Sequence, residues 1–150
     1  MRAPRVLIAL LLAALPLLAF LPSGMRWRAA GEPLWDQVRA SELVVLADVI
    51  EVSDDCSNMP EGTDRVAHLR VLEAWKGQAP GLLQVPFNDY LLWPPPPRYR
   101  PGETVVAFLR RDGRSWTTVG MGAGALEPTP SAISELRARV RRLVAMQAEA

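Results

Sequence analysis

The sequence predicts a mainly β protein, a small five-stranded barrel with a short helix before it and an amphipathic helix after it. Three observations predict this fold. The dipeptide Asp112-Gly113 separates two apolar runs as a hairpin turn does, residues 43–52 are apolar on both faces, and an apolar stripe of helical period ends the chain. Because both faces of the hairpin need cover, its strands belong in a closed or sandwiched structure.

Residues 1–25 have the layout of an export signal. Arg2 and Arg5 precede the uncharged run VLIALLLAALPLLAFL, which predicts a hydrophobic export helix. No clear small-x-small cleavage pattern follows Leu21, and residues 6–25 would form a helix of about 30 Å, enough to span a bilayer. We expect residues 1–30 to be either a cleaved signal peptide or a retained membrane anchor. The rest of the chain is then extracytoplasmic, in the periplasm or at the cell surface.

Charge and ligand content exclude several classes of function. Four of the 17 basic residues lie in the first thirty, which carry no acid, so the rest of the chain has 13 basic and 16 acidic side chains. This acidic body lacks the clustered cations that nucleic-acid binding requires. Cys56 is the only cysteine and His68 the only histidine, too few ligands for a zinc site and no partner for an intramolecular disulfide. We expect no nucleic acid, no metal and no cofactor.

The first elements follow in chain order. Residues 32–40 are predicted as a short helix with Leu34, Trp35 and Val38 on one side. Residues 43–52 form a long strand that bends between two sheets at the small Ala47, and Asp48 on this strand is expected at a barrel mouth or beside an arginine.

Two further strands follow a polar loop. Residues 65–73 are predicted as the second strand, followed by Trp75, which is large enough to close one end of the barrel, and by Gly77 in a turn with positive φ. Residues 82–87 are the third strand, and Pro86 places it at an edge or ends it, because proline has no N–H to donate.

The hairpin supplies the last two strands, and a helix ends the chain. Counting outward from the turn predicts the pairs Leu109–Trp116, Ala107–Thr118 and Val105–Gly120 on one face, and Phe108–Thr117 and Val106–Val119 on the other. Thr129 and Pro130 begin a helix to about Ala148. Its apolar stripe is expected to pack on the barrel and consists of Ile133, Leu136, Val140, Leu143 and Val144. We therefore predict a barrel over 31–128 and a packed helix over 129–150.

Two loops are candidate binding regions. Loop 54–64 carries four carboxylates without the EF-hand register, so we interpret it as solvated rather than calcium-binding. Loop 88–101, NDYLLWPPPPRYRP, combines aromatics and arginines with prolines that stiffen it toward polyproline II. Either it folds back and caps the barrel with its own aromatics, or it forms an exposed recognition patch. The predicted partner-binding residues are Tyr90, Trp93, Arg98, Tyr99 and Arg100.

Four short segments within residues 41–121 resemble exported bacterial barrels related to the tissue inhibitors of metalloproteinases and netrin-like modules. They are Ser41-Glu42-Leu43, Trp75-Lys76-Gly77, Gly102-Glu103 and Phe108-Leu109. The resemblance implies an OB-like barrel whose loops and one face form a binding surface. It does not imply protease inhibition, which in the animal relatives depends on an amino-terminal cysteine that this chain lacks. The disulfides of the animal modules are also missing, and Ala47 stands where glycine is frequent.

Three functional hypotheses follow. The leading one is a non-catalytic exported envelope protein, a binding module for an envelope protein or a surface polymer. The second is an enzyme that uses Cys56 as nucleophile and His68 as base. The third is a structural module whose terminal helix is an oligomerisation surface, and the sequence leaves the oligomeric state open.

Overall fold

The computed structural model describes residues 33–90, 96–120 and 124–150. Five antiparallel strands form a nearly closed barrel, accompanied by two helices and a two-residue strand. In chain order the elements are α1 (Leu34–Ala40), β1 (Leu43–Ser53), β2 (Arg65–Lys76), β3 (Leu82–Phe87), β4 (Thr104–Asp112), β5 (Ser115–Thr118), β6 (Ala125–Leu126) and α2 (Pro130–Ala148). The predicted export segment, 1–30, lies outside the described residues. Of the helices in the described part of the chain, neither is long and apolar enough to cross a membrane.

The central strand is β1, which is hydrogen-bonded on both edges. It pairs with β2 on one edge and with β4 on the other, in the strand order β3-β2-β1-β4-β5. The end strands β3 and β5 lie against each other and bring the sheet close to a full circle. The strand bounds of β3 and its position at the end of the order agree with the prediction that Pro86 marks an edge.

Alternation along β1 divides the apolar residues between two cores. Its odd-numbered residues from Leu43 to Val49 point into the barrel core, which also contains Leu69, Leu83 and Leu109. Val44 and Leu46 point the other way, into a helix-side core with Phe108. Both faces of β1 are therefore buried, as its sequence predicted.

Three register shifts bend this sheet. One leaves Ile50 as an extra residue in β1, and two leave Leu72 and Trp75 as extra residues in β2. Such bulges bend a strand and increase its twist, which assists barrel closure. The bulge at Ile50 also reverses the alternation, so that Val52 packs against the barrel core and Ile50 is half exposed. Strict alternation over the predicted strand 43–52 would place Ile50 and Val52 on one face, and the bulge makes that expectation wrong.

The hairpin forms, but its register differs from the predicted one. The observed pairs are Leu109–Thr118, Arg110–Thr117, Arg111–Trp116 and Asp112–Ser115, so the two-residue turn is Gly113-Arg114. Gly113 has a φ of 61° at the first turn position, where the primed hairpin turns need positive φ and glycine adopts it without strain. The partners move by two residues, so each side chain keeps its predicted face. Short β6 continues along the same edge of β4 by pairing Ala125 with Ala107.

The helices cover the second face of the barrel. Helix α2 begins at Pro130 after Thr129, and Val140 of its stripe is fully buried in the helix-side core. The predicted stripe is confirmed, because its other four members are partly buried in the same core. Helix α1 adds Leu34 and Val38 to this core, whereas the predicted third member, Trp35, is 36% exposed.

Polar contacts fix α2 to the barrel. Arg137 donates two hydrogen bonds to the Glu73 carboxylate, at 2.7 and 2.6 Å, and its guanidinium lies 5.9 Å from the ring centre of Trp75. The Trp75 indole N–H donates to the same carboxylate at 3.0 Å. These bonds, those from Arg137 first, lower the pKa of Glu73 from its ordinary value of 4.5. Lys76 adds a second tie, donating to the Val38 carbonyl at 2.6 Å and to the Gln147 amide oxygen at 3.0 Å.

We expect Gly77→Ala to destabilise the fold more than alanine at another glycine with positive φ. Gly77 has a φ of 72°, and a Cβ there would lie 2.5 Å from the Glu42 carbonyl oxygen. Gly62 has a φ of 85° but open space around its Cα, so Gly62→Ala should cost only the backbone strain, about 1–2 kcal/mol. Urea unfolding of both variants measures the difference, and equal losses would contradict the close approach of Gly77 to Glu42.

Glu73→Gln should weaken the fold by about 1 kcal/mol at neutral pH and flatten its acid sensitivity. A carboxyl whose pKa is lower in the folded protein stabilises it above the unfolded pKa, near 4.5, and loses that contribution as the pH falls through the folded value. The wild type should therefore lose more stability between neutral pH and about pH 3.5 than the variant does. Asp54→Asn is the control, because the Asp54 carboxylate that pairs with Arg65 is 79% exposed. An equal acid response of wild type and Glu73→Gln would refute this role.

Candidate functional site

The two loops predicted as binding regions lie side by side. The Asn88 side-chain amide donates to the Gly62 carbonyl at 3.0 Å, and the Asp89 N–H donates to the Asp64 carboxylate at 2.9 Å. The start of loop 88–101 is thus tied to the end of loop 54–64. The side chain of Tyr90, the next residue of the loop, is 80% exposed.

The other predicted site residues differ in their positions. Arg98 and Arg100 are exposed, and Arg100 lies 3.7 Å from the Glu103 carboxylate. Trp93 lies outside the described residues. Both arginines and Tyr90 are therefore exposed to solvent.

Tyr99 corrects the prediction of an exposed aromatic patch. Its side chain is 5% exposed, belongs to the barrel core and packs on Phe87, with the two ring centres 5.4 Å apart. Its hydroxyl shares a hydrogen bond of 2.7 Å with the hydroxyl of Thr118, so its one polar atom is satisfied. Burial raises the pKa of Tyr99 far above its ordinary value. At this position the proline loop caps the barrel, which was the other interpretation of that loop.

A groove with a volume of about 530 Å³ lies on a surface built from strands. It begins at the bulge of β1, passes over β2 and β3, and ends at the β4–β5 hairpin. Its walls combine aliphatic, aromatic and polar side chains from Ile50, Glu51, His68, Leu69, Pro80, Leu82, Leu83, Gln84, Arg114 and Trp116. None of the predicted partner-binding residues that the structure describes lines this groove.

The groove runs across the strands. Glu51 pairs with His68 in the β1–β2 ladder, and His68 pairs with Gln84 in the β2–β3 ladder. Residues directly opposite each other in neighbouring strands share a face and lie perpendicular to the strand direction. These three polar side chains therefore form one row, with strands about 4.8 Å apart.

Aliphatic side chains are exposed beside this row. Ile50 is 50% exposed and Leu82 is 67% exposed, although residues of this type are usually buried in strands. Their neighbours Leu69 and Leu83 belong to the barrel core. The groove thus has a rigid base, continuous with the core, and an apolar surface open to solvent.

Trp116 forms the hairpin end of the groove. The Arg111 guanidinium lies 4.7 Å from its ring centre, and the indole packs against the barrel core. Arg111 is the cross-strand partner of Trp116, so the ladder itself places the cation on the ring. This stacking and the core contacts hold the indole in one orientation.

Three polar side chains of the groove have no partner among the residues that the structure describes. Glu51, Gln84 and Arg114 are exposed, and none makes a hydrogen bond or ion pair with another described residue. The neighbouring Asp48 differs, because it accepts from Arg70 at 2.9 Å and from Thr104 at 2.8 Å, which lowers its pKa. The position of Asp48 beside an arginine, one of the two that were expected, is therefore confirmed, whereas Glu51, Gln84 and Arg114 are exposed to solvent.

Cys56 and His68 do not form the geometry of an activated thiol. The His68 Nε2 lies 3.1 Å from the Ser53 hydroxyl oxygen, and no hydrogen bond links it to Cys56 in the described chain. Desolvation, with smaller contributions from Asp64 and other loop acids, raises the pKa of Cys56. A catalytic cysteine requires the opposite shift, toward the thiolate.

The packing of α2 also bears on the oligomerisation hypothesis. Its apolar stripe contributes to the helix-side core of the same chain, so this face is already covered. Met146 is exposed but stands apart from the buried stripe. An oligomer built on that stripe would have to compete with the barrel.

Sequence patterns did not predict the groove. Ile50 has the apolar character of any strand residue, and only the bulge turns it outward. Trp116 is notable in the sequence, but its predicted partner was Leu109 rather than Arg111. The only sequence signal for an exposed apolar residue in this region was the position of Leu82 at the start of a short strand.

The residues of the described ranges include no cluster of three or more His, Cys, Asp or Glu side chains that could hold a metal ion. No protein-family model matches the chain, and no curated protein is significantly similar to it. The resemblance to netrin-like barrels therefore stays a prediction based on the four quoted segments.

Tyr99→Phe should destabilise the protein by about 1–2 kcal/mol, because it leaves the hydroxyl of Thr118 buried without its partner. Tyr90→Phe is a matched control at an 80% exposed tyrosine and should change stability by less than about 0.5 kcal/mol. The chain has two tyrosines, so absorbance titration offers a second check. Tyr99 should ionise only on unfolding, because burial raises its pKa. Ionisation of both tyrosines in the folded protein would contradict the buried position.

Proposed function

We propose that this chain is the non-catalytic binding module of an exported envelope protein, and that its groove holds a linear segment of a protein or surface polymer. The observation that carries the proposal is a groove in which exposed aliphatic side chains adjoin Glu51, Gln84 and Arg114, which have no partner among the described residues. Exposed apolar surface costs free energy in water, and its cover by a ligand would recover that cost.

We further propose that the barrel is OB-like. A nearly closed five-stranded antiparallel barrel, with β1 joined to β2 and β4 and with β3 near β5, supports this assignment. OB barrels bind oligonucleotides and oligosaccharides on the face of their second and third strands, with the loop between strands one and two and the loop between strands four and five. The groove crosses β2 and β3 and ends at Arg114 in the β4–β5 turn. This agreement is one of fold position, and function has to be argued from the side chains.

A binding role is favoured over catalysis by the chemistry of the same residues. Glu51 and His68 are the groove's residues of acid–base type. His68 Nε2 lies 3.1 Å from the Ser53 hydroxyl, but among the described residues no carboxylate is hydrogen-bonded to the other ring nitrogen to orient the imidazole, as a catalytic triad requires. The raised pKa of Cys56 opposes a thiol nucleophile. The extracytoplasmic location rests on the layout of residues 1–25 alone.

The test compares two bulge residues with the same exposure. Ile50 is 50% exposed and lines the groove, whereas Leu72 is 48% exposed and does not. A photo-crosslinking amino acid at position 50 should capture an envelope component, and one at position 72 should not. In the variant with the crosslinker at position 50, Trp116→Ala should reduce the adduct at least about fivefold, because the hairpin end of the groove is lost.

Mass spectrometry of the adduct separates a protein segment from a polymer, and thermal melting confirms that each variant is folded. Equal adduct yields at positions 50 and 72, or no adduct at position 50, would contradict binding in the groove. An adduct at position 50 that persists in the folded Trp116→Ala protein would contradict the hairpin end of the site.

A further inference from the structure

We propose that the occupant of the groove is an extended peptide segment with an apolar centre, a basic residue at its β1 end and an acidic residue at its hairpin end. This inference rests on the proposed binding function and specifies the chemistry of its ligand. It depends on the direction of the groove, the nature of its apolar surface and the placement of its charges.

The direction of the groove requires a linear ligand. The row Glu51–His68–Gln84 spans β1 to β3, and the hairpin lies beyond β3. Three strand spacings amount to about 14 Å. An extended peptide rises about 3.3 Å per residue, so four to six residues cover this distance.

The apolar surface favours aliphatic side chains over rings that stack. Ile50, Pro80 and Leu82 are exposed aliphatic groups, with no aromatic side chain between them in the groove. Trp116 offers no open ring face comparable to a stacking platform, because Arg111 lies over the ring and the indole also packs on the core. Nucleic-acid bases bind single-strand sites largely by stacking on such platforms, whereas apolar peptide side chains bind aliphatic surface.

The charges at the two ends have opposite sign. Glu51 stands at the β1 end and Arg114 at the hairpin end, both exposed and without an ion pair in the described chain. Nucleic acid, which is uniformly anionic, would meet Glu51 unfavourably. A peptide can carry a cation at one end and an anion at the other. His68 and Gln84 lie between these ends, where the amide and the free ring nitrogen can bond a peptide backbone.

The experiment uses three fluorescent, end-blocked hexapeptides with the same central sequence, Val-Leu-Val-Leu. The mixed peptide begins with Lys and ends with Glu, and the two others carry Lys at both ends or Glu at both ends. Fluorescence anisotropy with the full chain should show the mixed peptide binding about five- to tenfold more tightly than either of the others at low salt.

Charge reversal should then exchange the preferences. Arg114→Glu should weaken binding of the mixed peptide about five- to tenfold and strengthen binding of the doubly basic peptide. Glu51→Arg should weaken binding of the mixed peptide by a similar factor and strengthen binding of the doubly acidic peptide. Arg139→Glu, on the exposed surface of α2, is the control and should leave all three affinities within about twofold. Similar affinities for all three peptides, or a reversal that affects them equally, would overturn the charge assignment.

Failure of this inference can be told from failure of the proposed function. If the peptides do not bind but chitohexaose does, or if the adduct at position 50 is a polymer, the groove binds a ligand and the peptide assignment is overturned. If no probe binds and no adduct forms at position 50, the proposed function itself falls. Binding of the mixed peptide that is lost in Ile50→Lys but kept in Leu72→Lys supports both.

Discussion

The double pairing and double burial of β1 is the constraint on which the rest of the structure depends. Its backbone is bonded to β2 and β4, and its residues from Leu43 to Val49 alternate between the barrel core and the helix-side core. A strand that is apolar on both faces is stable only when both faces are covered. The curled sheet covers one face of β1 and the two helices cover the other. The barrel and α2 therefore both serve to bury the apolar faces of β1.

The candidate site arises where this arrangement is incomplete. The bulge that bends β1 also turns Ile50 outward, and β3 and β5 approach each other without a shared ladder of hydrogen bonds. The groove therefore lies on strands, and Leu69, Leu83 and Trp116 belong both to its wall and to the packing of the core. A site supported in this way holds its side chains in place before a ligand arrives, which lowers the entropy cost of binding. Most of the conformational ordering on binding would then take place in the ligand.

The sequence anticipated more of the fold than of the site. The predicted strands over 43–52 and 82–87 and the helix from Pro130 agree with the structure, and Asp48 lies beside an arginine. The second strand begins at Arg65 as predicted but extends to Lys76, beyond its predicted end at residue 73. The predicted binding residues were chosen because aromatic and arginine side chains on a proline loop favour exposure. Tyr99 instead belongs to the barrel core, where its ring packs on Phe87 and its hydroxyl is hydrogen-bonded to Thr118. Composition cannot show which residues of a loop a core will accept.

By itself the sequence determined the elements and their faces, because turn residues, caps and hydrophobic periodicity act within a few residues of the chain. It thereby determined that β1 would be covered twice and that α2 would present one apolar stripe. Only the tertiary structure decided the register of the hairpin, the bulges at Ile50, Leu72 and Trp75, and the row that joins Glu51 to Gln84. These features depend on which backbone groups meet across distant parts of the chain. Their energies are set by packing between strands, and no local pattern records them.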